Sequence, residues 1–306
     1  MLEIMKPPLR RLHNFPAIIP LDGQDFDINY PIHSGFLALS PTYTAIEKSI
    51  HECCLMNVSS IWIACPPTIE PYLRKLVGNY ACAIHGNISH KVTSRHIPIF
   101  LVPTSPNDEL KRKSFVWSII SVAETINLMW ATFSAWMAPR KFFVSFPYGI
   151  FDFSTELGDR EAIKRNPSFA FRHNGKTIAD GEKLSFTFDN EYLKVLKKRF
   201  REITVSVRQK TGERGFRGYM PIAQKRDRWT GRWLELKDMF YDIPLDTKHI
   251  HDVEWFYDIS SWDGYRKYLA SDHAELMKKP DFQRWGMTFS DNNIRTPQYE
   301  KYEKGG

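Results

Sequence analysis

The apolar run Phe15-Pro16-Ala17-Ile18-Ile19-Pro20-Leu21 stops abruptly at Asp22-Gly23. About twenty residues later, Thr44 to Cys54 has helical spacing, and Val58 to Cys65 is a second apolar run, interrupted by Ser59 and Ser60. Strand, long loop, helix and strand in this order restrict the fold sharply. Strands without polar alternation are buried on both faces, and neighbouring parallel strands need a crossover, usually a helix. The chain is therefore expected to build an α/β sheet from its first seventy residues. In such open sheets ligands bind where loops leave the carboxyl ends of the strands, so the loop from Asp22 to Pro41 is the first candidate for function.

The alternation continues. Thr68 to Val77 reads as a short helix stopped by Gly78-Asn79, Ile97 to Pro103 as a strand, and Ser114 to Met137 as a long, heavily buried helix. Lys141 to Gly149 reads as a central strand with a turn at its carboxyl end. The second half is less regular: a basic amphipathic helix from Asn190 to Arg201, a strand-like Ile203–Val207, a helical Leu234–Met239 and a strand from Val253 to Ile259 that carries Asp258. A helix from Trp262 to Leu269 follows, begun by Ser260 or Ser261. The expected fold is α/β: a mixed, mostly parallel central sheet sandwiched by helices, with a less regular C-terminal half. Residues 1–14 read as an extension, 15–270 as the domain, and 271–306 as a tail.

Composition narrows the function classes. With 42% hydrophobic and 25% charged residues, the 306-residue chain is an ordinary globular sequence, and its aromatic content of 14% predicts thick cores. No apolar run approaches the roughly 20 residues of a membrane span. The N-terminus, with Glu3 and Pro7-Pro8, is no signal peptide, so a cytoplasmic protein without a membrane partner is expected. Cys53, Cys54, Cys65 and Cys82 show neither C-x-x-C nor zinc spacing and read as buried free thiols. His249 and His251 lack a third ligand and read as a polar surface pair. Motifs of the types G-x-S-x-G, G-x-G-x-x-G and G-x-x-x-x-G-K-[ST] are absent.

The net charge of +7 is concentrated: between Lys197 and Arg232 stand twelve basic residues against three acids. Three readings stay open for this segment. It is a solvated surface, a source of phosphate contacts, or a nucleic-acid contact through Arg214, Arg217, Lys225, Arg226 and Arg228. Phe216, Tyr219, Trp229 and Trp233 would then be stacking groups.

Three stretches carry a family resemblance: Ala17–Gly23, Thr44–Ile63, and Trp255-Phe256-Tyr257-Asp258-Ile259-Ser260-Ser261-Trp262-Asp263-Gly264-Tyr265. Their order and spacing resemble the nucleotide-diphospho-sugar transferase superfamily of GT-A-like fold, and within it the sugar-nucleotide nucleotidyltransferases. The resemblance spans Ala17 to about Leu269. It implies a nucleotidyltransferase-like or glycosyltransferase-like protein that binds a nucleotide or nucleotide-sugar, with Leu21, Asp22, Gly23 and Gln24 as nucleotide contacts. It also implies Mg²⁺ (or Mn²⁺) held by Asp258 and Asp152, which would be the catalytic acids. The motifs are degenerate. The first loop keeps one glycine, has no arginine, and places Asp22, Asp25 and Asp27 where phosphates should lie, while the central strand has no acid until Asp152. A second expectation therefore stands beside the first: a catalytically inactive family member that binds nucleic acid or an acidic partner through residues 197–232.

Overall fold

The computed structural model describes residues 14–23, 33–85, 93–105, 114–133, 138–153, 163, 168–210, 235–245 and 250–279. In chain order the strands are β1 (Pro16–Pro20), β2 (Ala38–Ser40), β3 (Tyr43–Thr44), β4 (Ser60–Cys65), β5 (Tyr80–His85), β6 (Thr93–Pro103), β7 (Lys141–Val144), β8 (Gly149–Phe151), β9 (Ala170–Arg172), β10 (Phe186–Asp189), β11 (Ile250–Asp252) and β12 (Phe256–Asp258). The helices are α1 (Ala45–Leu55), α2 (Glu70–Val77), α3 (Phe115–Phe133), α4 (Asn190–Lys210), α5 (Leu236–Phe240), α6 (Trp262–Leu269) and α7 (Asp272–Leu276).

Eight strands form the main sheet in the order β11-β9-β10-β7-β1-β4-β6-β5. The central block β7-β1-β4-β6 is parallel, while β5 and β10 join it antiparallel. The expected mixed, mostly parallel architecture is present. Strand β1 shows why its sequence lacks polar alternation. Ile18 joins Trp62, Phe142 and Val144 in a core covered by α3 and α4, whereas Ala17 and Ile19 join Ile61, Ile63 and Phe143 under α1 and α2. Both faces are covered, so every residue of β1 is buried.

Helix ends follow local chemistry. Glu47 accepts from the backbone nitrogen of Thr44 at 2.9 Å and from its hydroxyl at 2.8 Å, half of the reciprocal cap encoded by Thr44-Ala45-Ile46-Glu47. Helix α2 ends at Gly78, whose φ of 68° favours a residue without Cβ.

Several expectations are corrected. Ile203–Val207 continues α4 to Lys210 instead of forming a strand. Val253–Ile259 is not one strand: β12 covers only Phe256–Asp258 and pairs with β8. Strand β7 ends at Val144 and the chain turns before β8. Helix α3 has 19 residues and is, by length and composition alone, long and apolar enough to cross a membrane, with 44% of its span buried inside this fold. The expectation that no run approaches that length is thus revised. Residues 271–279, assigned to a tail, include α7, and Lys279 ties back to Glu47 at 2.7 Å.

His51 on α1 is held down to a pKa of about 4 by burial and, second, by the neighbouring Lys48 ammonium. Between pH 6.5 and 4 only the unfolded chain takes up this proton, so stability falls as pH falls through that window. The shift is worth about 3 kcal/mol. His51→Gln is expected to flatten the acid limb of urea-unfolding stability between pH 6.5 and 4; an unchanged limb refutes the assignment.

Candidate nucleotide crevice

Strand order places the sheet's switch point between β1 and β7: successive crossovers run from β1 to β4 and β6 on one side, then return to β7 on the other. Ligands of open α/β sheets bind at the carboxyl ends of strands at this point. Here those ends are Leu21–Gly23 and Ser145–Tyr148.

The crevice is packed by its own side chains. The Tyr148 hydroxyl donates to the Leu21 carbonyl at 2.8 Å, and the backbone nitrogens of Leu21 and Asp22 share the Ala64 carbonyl at 3.0 and 3.2 Å. Asp22 is 2% exposed; Thr104 donates to its carboxylate at 2.6 Å and Ser118 to its carbonyl at 2.5 Å. A Cβ on Gly23 would overlap the backbone of Phe115, so this glycine serves close approach between loop and helix α3. Phe115 in turn packs on Phe146 and Tyr148, with ring centroids 6.1 and 5.3 Å apart. Of the expected nucleotide contacts, Leu21, Asp22 and Gly23 therefore stand at the switch point, Leu21 and Asp22 hydrogen-bonded within the protein and Gly23 packed against Phe115. Gln24, like Asp25 and Asp27, lies outside the described residues.

The solvent-reaching part of the crevice is a charged cluster. Lys183 donates to Asp258 at 2.6 Å and to the Ser260 hydroxyl at 2.6 Å; the Ser260 nitrogen donates to the other Asp258 oxygen at 2.9 Å. The side chain of Asp258 is 39% exposed and that of Lys183 10%, and the ammonium lies 5.8 Å from the Phe115 ring centroid. Asp258 stands opposite Gly149 in the β12–β8 ribbon, and the Gly149 position touches the Lys183 carbonyl so closely that a Cβ there would overlap it. Lys183 escaped sequence reasoning because it lies outside the basic run, and its pairing with Asp258 spans 75 residues of chain. Its signal was slight: one lysine before the apolar strand at Phe186.

Asp152 is not part of this cluster. Phe151 faces Phe256 and Gly149 faces Asp258, so the ribbon register sets Asp152 and Asp258 at opposite ends. That is about 10 Å at strand rise. The donor set does not fit Mg²⁺ or Mn²⁺ as arranged. Both Asp258 oxygens are engaged, one by a lysine, and among the described residues no group of three His, Cys, Asp or Glu side chains could hold an ion.

Elsewhere, Cys53, Cys54 and Cys65 are buried thiols outside any disulfide; burial pushes the Cys65 thiol up to about 12, away from thiolate chemistry. Within the basic segment, Lys197 pairs with Glu124 on α3, and Arg199 binds Asp242 and the Met239 carbonyl while lying 4.2 Å from the Tyr241 ring centroid. These cations anchor α4 to the body. Arg214, Arg217, Lys225, Arg226, Arg228 and His249 lie outside the described residues. His251 packs edge-on against Phe171 in β11.

Neither a family model nor a curated protein matches the chain. Solved structures do. A protein described as a glucose-1-phosphate thymidylyltransferase of Bacillus anthracis superposes with a TM-score of 0.50 at 11% identity, covering 87% of this chain and 98% of that one. The CTP:phosphocholine cytidylyltransferase of Streptococcus pneumoniae gives 0.47 at 13% identity, covering 87% and 100%. A nucleoside-diphosphate-sugar pyrophosphorylase of Vibrio cholerae gives 0.44 at 13% identity, covering 83% and 100%. The first of these likenesses establishes a nucleotidyltransferase-like fold.

Proposed function

We propose that the protein binds a nucleotide or nucleotide-sugar in the β1/β7 crevice, as a divergent member of the nucleotidyltransferase-like or glycosyltransferase-like group. The observation that carries this reading is the Lys183–Asp258–Ser260 cluster, which reaches solvent at the sheet's switch point beside Phe115. A phosphate would meet the Lys183 ammonium, a cation already desolvated on most of its surface and thus stronger toward an anion than a free surface lysine. Asp258 holds that ammonium in place and would accept from a ribose or sugar hydroxyl. Catalysis of phosphoryl transfer is mostly positioning and charge neutralisation. Lys183 is the residue on which that neutralisation would rest, and no step is assigned to a metal.

The test is a thermal-shift panel of nucleoside mono-, di- and triphosphates and nucleotide-sugars, each with and without Mg²⁺. A ligand at one hundred times its dissociation constant adds about 2.7 kcal/mol to stability. At least one member is expected to raise the Tm, and Lys183→Met is expected to remove that rise while the protein stays folded. No shift across the whole panel overturns the reading.

The packed strand exit favours a second reading. With Leu21 and Asp22 tied into the protein and Phe115 over Gly23, an inactive relative would use residues 197–232 to bind nucleic acid or an acidic partner. Salt-dependent binding of single-stranded or duplex nucleic acid, with a silent nucleotide panel, is the result that selects it.

A further inference from the structure

A second cavity lies apart from the crevice, between α1, the β8–β12 ribbon and α7. Its volume is about 250 Å³. That is below the roughly 300–1,000 Å³ of sites for drug-sized ligands, so a nucleotide-sugar is too large for it. Its floor is the ion pair Lys48–Glu52 of α1, which neutralises itself at 2.6 Å. Around it stand Asp152, Trp255, His273 and Lys278.

Its walls carry charges of both signs. Asp152 is exposed at the end of β8 and makes no hydrogen bond or ion pair among the described residues, and the same holds for Lys278 just after α7. His273 stacks on Trp255 with centroids 4.4 Å apart at 18°, and its Nδ1 is taken by the Tyr257 hydroxyl at 2.9 Å. Its Nε2 has no hydrogen-bond partner among the described residues. Phe151, Leu55 and Met277 add apolar surface beside His51 and Tyr43. A carboxylate from the end of β8, an imidazole from α7 and an ammonium just after it, with apolar side chains beside them, match a small molecule with both charges. A phosphate would leave Asp152 without a counter-charge, and a neutral sugar would leave the charges of both signs unused.

We infer that this cavity is a binding site for a free α-amino acid or a zwitterion of similar size, with the ligand ammonium on Asp152 and its carboxylate on Lys278 and His273. The inference does not rest on the nucleotide reading, and Lys183→Met is expected to leave amino-acid binding intact.

Calorimetric titration of the full chain with free L-amino acids of acidic, basic, polar and apolar side chains tests it. Amines and carboxylic acids lacking one charge, hexoses and inorganic phosphate serve as comparison probes. At least one amino acid is expected to bind and to outcompete its single-charge analogues. Asp152→Asn and Lys278→Met are each expected to weaken it about tenfold or more, the worth of a charge-assisted contact. Both side chains sit at the cavity wall without partners among the described residues, and unchanged Tm values without ligand confirm intact folding. Absence of binding by every amino acid, equal affinity in both variants, or stronger binding of hexose or phosphate overturns the proposal.

Discussion

Lys48→Met is expected to cost about 3–5 kcal/mol in urea unfolding, the usual loss when one member of a buried ion pair is removed. The Lys48 and Glu52 side chains are 3% and 2% exposed. Lys48 also donates to the carbonyls of Phe146 and Gly149, while Ser145 and Ser185 donate to Glu52 at 2.6 and 3.2 Å. Helix α1 is thereby fastened to the loop between β7 and β8 that floors the crevice. Burial pulls the Lys48 ammonium below the usual lysine range and pushes the Glu52 carboxyl up, despite their mutual attraction. Desolvation outweighs pairing, so the charges are costly and only tolerable together. Lys48→Met with Glu52→Leu is therefore expected to be more stable than Lys48→Met alone. If the two single losses simply add, the pair is not the unit described here.

Raising pH from 7 to 9 is expected to stabilise the protein through Lys141. This residue begins β7, is 3% exposed, donates to the Ile163 carbonyl and stands opposite Asp189 on β10. Burial lowers its pKa to about 7, and Asp189 offsets only part of that. The folded pKa lies below the unfolded one, so between about pH 7 and 10.5 the unfolded chain holds the proton and the native one releases it. Native stability therefore rises with pH, by about 2–3 kcal/mol from pH 7 to 9. Above pH 10 the buried tyrosines Tyr148, Tyr192 and Tyr268, whose hydroxyls burial holds protonated, oppose the trend. Lys141→Met is expected to raise the Tm at pH 7 and remove the rise between pH 7 and 9. A rise that persists in this variant assigns it to other groups.

Particular residues show how far the sequence could be read. The runs 17–19, 61–65 and 142–144 were legible as central strands because burial on both faces leaves no polar position. Helix α1 was legible from the helical spacing of Thr44 to Cys54, and its cap is made within four residues. Ile203–Val207 misled because β-branched residues favour strands locally, whereas here they extend a helix already docked through Phe200 on Trp117, 4.9 Å between rings. Strands β9 and β10 went unseen because Ala170–Arg172 and Phe186–Asp189 are too short to show a period.

The candidate site divides along the same line. Asp258 was readable from its place after an aromatic strand, but its partner Lys183 was not. Asp152 was grouped with Asp258 through the family resemblance; the antiparallel register of β8 and β12 sets them at opposite ends.

By itself the sequence determined the frame: alternating buried strands and helices, and a first loop leaving the carboxyl end of a strand in a mainly parallel sheet. Periodicity encodes which faces leave water, and that requires only neighbours three, four or two positions away. Tertiary structure decided what fills the frame. Tyr148 reaches Leu21 across 127 residues, Lys48 reaches Gly149 across 101, and Lys183 reaches Asp258 across 75. Which polar groups remain available to a ligand depends on those long-range partners, and no local pattern carries them.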